Sequence, residues 1–181
     1  MKSRRKTTAL IPKTPKGIQI SCGVAQKTVL FFHETKNRLK MASRIKTLSG
    51  SEINPFCFGT MQWGGKANRA AAQSLYQMCR NAGVNHFDTA YAYCEGKSEK
   101  FLGAFCEKDR ESLLIATKVG YVGGASKTNI LAQFDQCQKR LKMEVIDVLY
   151  LHRFDPETSL DETLETFAEL KQSGKIRYVG S

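Results

Sequence analysis

Asp88-Thr89-Ala90-Tyr91-Ala92-Tyr93 is the stretch that decides the fold, because of what precedes it and what repeats after it. An apolar run, Val84 to Phe87, leads into Asp88; a second, Leu113 to Ala116, leads into Thr117-Lys118-Val119; a third, Val145 to Leu151, leads into His152-Arg153. Each polar group therefore stands at or just past the end of a β-rich segment. The intervals between them suit a strand followed by a helix. In a parallel (β/α) barrel, strand ends at one face are where catalytic side chains gather.

Working outward, the same alternation fills the rest of the chain from residue 44. Arg44 to Leu48, a Ser49-Gly50-Ser51 turn and Ile53 to Phe56 predict a hairpin over 44–56, and Cys57 to Met61 a first barrel strand. Ala71, Leu75, Met78, Cys79 and Ala82 recur at helical spacing, with Gly83 placed as a C-terminal cap. After the strand Val84 to Asp88, Ser98 is read as the cap of a helix running to about Glu107. Leu113 to Lys118 is the third strand, and Ile130, Phe134, Cys137 and Leu141 form the apolar face of the helix after it. Val145 to His152 is apolar almost throughout, as befits a strand buried on both faces. Ser159-x-x-Glu162 reads as a capping box opening a helix with Leu160, Leu164, Phe167 and Leu170 turned inward and Gly174 closing it. Ile176 to Ser181 is the fifth strand. Alternating β and α elements imply an α/β fold with a right-handed parallel sheet.

Taken in order, Gly59-Thr60-Met61-x-Trp63, Asp88-Thr89-Ala90-x-x-Tyr93, Gly96-x-Ser98-Glu99, Thr117-Lys118 and Leu151-His152-Arg153-x-Asp155 resemble the aldo-keto reductase family. The resemblance covers residues 44–181. It implies a (β/α)8 TIM-barrel fold, here truncated after about the fifth strand, with the hairpin plugging the bottom of the barrel. A complete barrel typically needs about 250 residues, and this chain has 181. As a free chain, such a half barrel is expected to be inactive and to self-associate through its open sheet edges.

The family's chemistry is carbonyl reduction, in which hydride goes to the carbonyl carbon and a proton to the oxygen. The resemblance implies that Tyr93 is the acid, that Lys118 lowers its pKa from the ordinary phenol value near ~10, and that Asp88 keeps Lys118 in place and charged. His152 would orient and polarise the substrate carbonyl. All four positions are matched. Tyr91 and Tyr121 are rival phenols that do not match the family's position and read as packing or pocket wall. By the same resemblance, Gly59, Thr60, Met61 and Asp88 approach the nicotinamide ribose and Ser181 the carboxamide, while Trp63 lines the substrate pocket with Tyr93 and His152. The implied cofactor is NADP(H) in preference to NAD(H), and the substrate a small aldehyde or ketone. No Gly-x-Gly-x-x-Gly fingerprint is present, so a Rossmann mode of binding is not supported.

Composition narrows the remaining classes. The chain is 41% hydrophobic and 25% charged, an ordinary globular balance, and its net charge is +11. Residues 1–40 carry ten Lys or Arg against one acid, Glu34, so +9 of that charge belongs to this segment. Three readings compete for it: an organelle-targeting segment, a basic arm for anionic partners, or a stretch not normally translated, with Met41 the true start. The third is favoured, because Pro12 and Pro15 interrupt any amphipathic helix and no aromatics interleave with the first basic cluster. The remaining +2 over 41–181 argues against nucleic-acid and membrane partners. Six cysteines without a Cys-x-x-Cys pair, and no His at ligand spacing, point to reduced thiols in a cytoplasmic protein without a metal site. Cys94 adjoins Tyr93, but no local cation is adjacent to activate it.

Overall fold

The computed structural model describes residues 45–181. The basic extension 1–40 and Arg44 lie outside the described residues. Among these residues five strands and four α-helices alternate: β1 (Cys57–Gly59), α1 (Arg69–Asn81), β2 (His86–Asp88), α2 (Lys97–Cys106), β3 (Leu114–Val119), α3 (Lys127–Leu141), β4 (Ile146–Leu151), α4 (Leu160–Gln172) and β5 (Ile176–Gly180). All strand pairs are parallel and neighbours in sequence are neighbours in the sheet, in the order β1-β2-β3-β4-β5. This is the winding of the (β/α)8 barrel type, followed through five strands.

The register sets a row of residues across the sheet: Gly59 opposite Asp88, Asp88 opposite Ala116, Ala116 opposite Val148, Val148 opposite Tyr178. Because strand side chains alternate with period two, Lys118 shares the face of Ala116. On that face Leu114, Ala116 and Val148 form a small cluster flanked by Ile53, Tyr150 and Tyr178. The larger core lies between sheet and helices, with Phe87, Ile115, Leu149, Leu102, Phe134 and Phe167 among its buried members.

Several expectations change at the level of packing. On α1 the buried residues are Ala72 and Tyr76, whereas Ala71, Leu75, Met78 and Ala82 are exposed; Tyr76 stacks on Phe87 at 5.1 Å and takes the place assigned to Leu75. On α4, Thr163, Thr166, Phe167 and Leu170 face inward, and Leu160 and Leu164 stand more than half exposed. The capping box does not form: Ser159 occupies the N-cap without a side-chain bond, and Glu162 accepts instead from the Lys127 backbone N–H at the start of α3, 2.8 Å away. Ser98 is likewise no cap but a buried residue within α2. The side-chain caps belong to Asn68, accepting from Ala71 N, and Ser126, accepting from Asn129 N.

The predicted hairpin reduces to one antiparallel bridge, Lys46 with Glu52, reinforced by their 3.2 Å ion pair. Polar bonds then bind this loop to residues that enter the strands. Asn54 N donates to Asn85 Oδ1 (2.8 Å), Asn85 Nδ2 to Glu52 O (2.9 Å) and Ser49 N to Glu111 O (2.9 Å). The segment thus lies at the N-terminal ends of the strands, opposite the face that carries the polar signals. At that same end the fully buried Asp147 is ion-paired with Arg110 (2.7 Å) and Arg177 (2.6 Å) and accepts from the Ile115 backbone N–H (2.8 Å).

Candidate active site

At the C-terminal ends of β2, β3 and β4 the structure brings Asp88, Tyr93, Lys118 and His152 together. Lys118 is the hub: its ammonium is ion-paired with Asp88, donates to Thr89 O at 3.0 Å and donates to the Tyr93 hydroxyl at 3.2 Å. Those three acceptors match the three donors of an ammonium group. Asp88 and Lys118 are both mostly covered, so their attraction is screened less than that of a surface pair. His152 packs edge-on against Tyr93, ring centroids 5.7 Å apart at 87°, and is covered by Tyr121 at 5.0 Å. Burial first, and then the Lys118 charge, hold its imidazole below the ordinary range, partly offset by Asp88. A neutral imidazole can donate one hydrogen bond while its other nitrogen accepts.

The loop that carries Tyr93 is held from beneath. Ser98, fully buried, joins Thr60 Oγ1 (2.7 Å), Thr60 O (2.9 Å) and Thr89 Oγ1 (2.9 Å), fastening the ends of β1 and β2 to the first turn of α2. Thr60 also donates to Asp88 O at 3.0 Å. Its hydroxyl is thereby committed inside the fold, and it supports Asp88 rather than presenting a side chain at the face. Trp63, 2% exposed, packs between Phe58 (5.8 Å) and Phe105 (5.7 Å) in the core of the described residues. Gly59 and Met61 remain exposed, and at Gly59 a side chain would meet nothing within 4 Å. Ser181, just after β5, is exposed too. Of the rival phenols, Tyr91 stacks under the Arg140 guanidinium (4.5 Å), and Tyr121 is half exposed beside His152.

Gln133, not singled out in the sequence, and the motif residues Asp155 and Glu99 shape the loops around the site. Gln133, buried on α3, accepts from Gly120 N (2.9 Å) and donates to Val122 O (2.6 Å), shaping the loop after β3. Asp155 accepts from the Thr158 hydroxyl (2.6 Å), Ala125 N (2.8 Å) and Glu157 N (3.1 Å), bonds that hold its carboxyl below the ordinary range and tie the loops after β3 and β4 together. Glu99, fully buried, accepts from Thr117 Oγ1 (2.7 Å) and Arg140 (3.1 Å). The sequence signal for Gln133 and Arg140 was their heptad spacing on one face of α3, beside the apolar stripe. All five cysteines among the described residues are free, and none of those residues forms a metal-ligating cluster. No helix among them is long and apolar enough to cross a membrane.

Comparison with known proteins agrees with this arrangement. The model of the aldo/keto reductase family matches residues 55–181. L-glyceraldehyde 3-phosphate reductase of Escherichia coli is 33% identical over 146 residues, covering 73% of this chain and 42% of that protein. A probable voltage-gated potassium channel subunit beta of Arabidopsis thaliana is 32% identical over 143 residues, covering 74% and 44%. Among solved structures, an aldo-keto reductase from Bacillus halodurans in its holo form superposes with a TM-score of 0.66 at 32% identity, covering 75% of this chain and 48% of that one. The chain spans less than half the length of these relatives. With the family model over most of its length and five parallel βα-linked strands presenting the matched residues at one face, the chain belongs to the aldo/keto reductase family.

Proposed function

We propose that this protein, as part of a complete barrel, reduces small aldehydes and ketones to alcohols with NADP(H), Tyr93 delivering the proton. The observation that carries the reading is the Lys118 ammonium, which touches Asp88 and the Tyr93 hydroxyl at once. When the phenol gives up its proton, negative charge develops on an oxygen 3.2 Å from a fixed cation, an arrangement that lowers a barrier without reorganisation. Asp88, ion-paired with the ammonium, holds it in place. His152, held neutral, donates to the substrate carbonyl oxygen and orients it toward Tyr93.

The bound nicotinamide would supply the hydride. The face fits such a ring on two counts: among the described residues His152 Nδ1 is buried without a protein partner, and Gly59 leaves open space at the end of β1. Gly59, Met61, Asp88 and Ser181 are the residues assigned to holding it, with Thr60 acting through Asp88. The preference for NADP(H) over NAD(H) and a cytoplasmic setting belong to the same proposal. Self-association is proposed only for the 181-residue chain by itself: among the described residues β1 pairs only with β2 and β5 only with β4, edges that a complete barrel closes and that otherwise favour pairing with another chain.

The test is Tyr93→Phe in the full-length protein. Carbonyl reduction should fall by at least about 10²-fold, the usual worth of a positioned acid, with nicotinamide binding retained; undiminished turnover would remove Tyr93 from the role. The Arabidopsis relative, by its name a channel subunit, favours one second reading, a regulatory protein that binds cofactor without turnover. Tight cofactor binding with no reduction of any aldehyde by the unaltered protein would select it.

A further inference from the structure

We propose that Arg140, on α3, is a positioning residue for Tyr93, held in that role by the buried carboxylate of Glu99. The inference rests on the reading of Tyr93 as the proton donor, but its physical content is separate: one guanidinium fixes both ends of the loop in which Tyr93 sits. At the upstream end Arg140 donates to the Tyr91 carbonyl at 3.0 Å and lies 4.5 Å over the Tyr91 ring. At the downstream end it lies against Gly96, where a Cβ would come within 2.5 Å of the guanidinium carbon. Tyr93 lies between the two.

This loop needs an external clamp because its own conformation is unfavourable. Cys94 and Glu95 have φ of 48° and 57°, and Gly96 follows at 79°. Two consecutive non-glycine residues in the left-handed region persist only where the surroundings over-determine them. The Cys94 thiol contributes one restraint, donating to Met61 O at 3.2 Å; Arg140 contributes the restraint from the opposite side. A bulkier residue at Gly96 would displace the guanidinium.

Glu99 fixes Arg140 in turn. Its carboxylate is fully buried, with one oxygen on Thr117 at 2.7 Å and the other on Arg140 at 3.1 Å. Thr117 immediately precedes Lys118 on β3. The Glu99 carboxylate therefore refers both catalytic side chains to one anchor: Lys118 through the strand, and Tyr93 through Arg140. Ser98, its neighbour, does the same for β1 and β2. The Gly96-x-Ser98-Glu99 motif thus supplies the frame in which the acid is aimed.

The experiment measures backbone hydrogen exchange in residues 91–96 of the 181-residue chain and its Arg140→Met variant, with β3 as the internal control. Exchange in 91–96 is expected to quicken about tenfold or more while β3 is unchanged, the mark of local opening rather than global loss. Arg140→Lys, which retains one donor for the Tyr91 carbonyl, should restore part of the protection. The double variant Glu99→Gln/Arg140→Met, free of an unpaired buried carboxylate, gives the same readout should the single variant fold poorly. In full-length protein, kcat should fall about 10²-fold, the scale of a 1 Å misplacement, with KM and cofactor binding little changed. Unaltered exchange at 91–96, or unaltered kcat in a protein whose Tyr93→Phe variant is inactive, overturns the proposal. Quickened exchange in a protein that tolerates Tyr93→Phe would leave the clamp standing and remove only the acid.

Discussion

Lys118 reaches Tyr93 across the gap between β3 and the loop after β2, its Nζ 3.2 Å from the phenol oxygen and 4.9 Å from the ring centroid. The contact depends on register. Asp88 stands opposite Ala116, two residues before Lys118 on the same face, so the lysine extends past its neighbour and folds back to the carboxylate. Strand geometry fixes the acid's partner before any loop is considered.

Replacing Lys118 with Met should keep the volume and remove the charge. The carbonyl reduction proposed for the complete barrel is then expected to drop by about 10²-fold or more, with the larger effect in kcat, because the lost interaction strengthens as charge develops on Tyr93. Steady-state kinetics against a simple aldehyde, with cofactor affinity measured separately, decides it. A change confined to KM would assign Lys118 to binding.

Asp147 makes a sharper prediction for stability. It is fully buried and answers two guanidiniums and the Ile115 N–H. Asp147→Leu would strand Arg110 and Arg177 without their counter-charge, at a cost of about 3–5 kcal/mol. Denaturant titration of the 181-residue chain should show this loss. A change under about 1 kcal/mol would mean that both arginines find water instead.

Helix α4 separates two leucines and a phenylalanine that look alike in sequence. Leu164 is 53% exposed and Phe167 is 2% exposed. Leu164→Lys should change the stability of this chain by no more than about 0.5 kcal/mol, and Phe167→Ala should lower it by about 3–5 kcal/mol. Equal effects in thermal unfolding would contradict the orientation of the helix.

That contrast marks what the sequence disclosed and what it did not. The βα alternation and the strand-end placement of Asp88, Lys118 and His152 were legible because short continuous apolar runs and helical spacing are local signals. Which face of α1 or α4 is inward was not, since both carry apolar residues on more than one side and the sheet beneath chooses among them. Ser98 looked like a cap because Ser is common there, yet buried partners from β1 and β2 claimed its hydroxyl. Arg140 and Gln133 share a face of α3 by their spacing, but their roles could not be read for a related reason: their partners, Tyr91, Glu99, Gly120 and Val122, come together only when α3 docks.

His86 offers a test of pH dependence away from the acid. Burial holds its imidazole below the ordinary value, against the opposing pull of Asp88 and Asp147, and its Nε2 is buried without a partner among the described residues. In the unfolded chain the ring takes up a proton near the usual value of about 6.5; in the folded chain it does so only at lower pH. Between those values the unfolded state holds more protons, so the folded state loses stability as pH falls below about 6.5 and keeps it above. His152 titrates in the same sense, and the two contributions are separable by mutation. His86→Phe should flatten part of the decline in unfolding free energy between about pH 6.5 and 5, while His86→Phe/His152→Phe should flatten more of it. Denaturant midpoints for the three proteins across that range measure it. An unchanged slope in the single variant would mean that His86 is hydrated in solution.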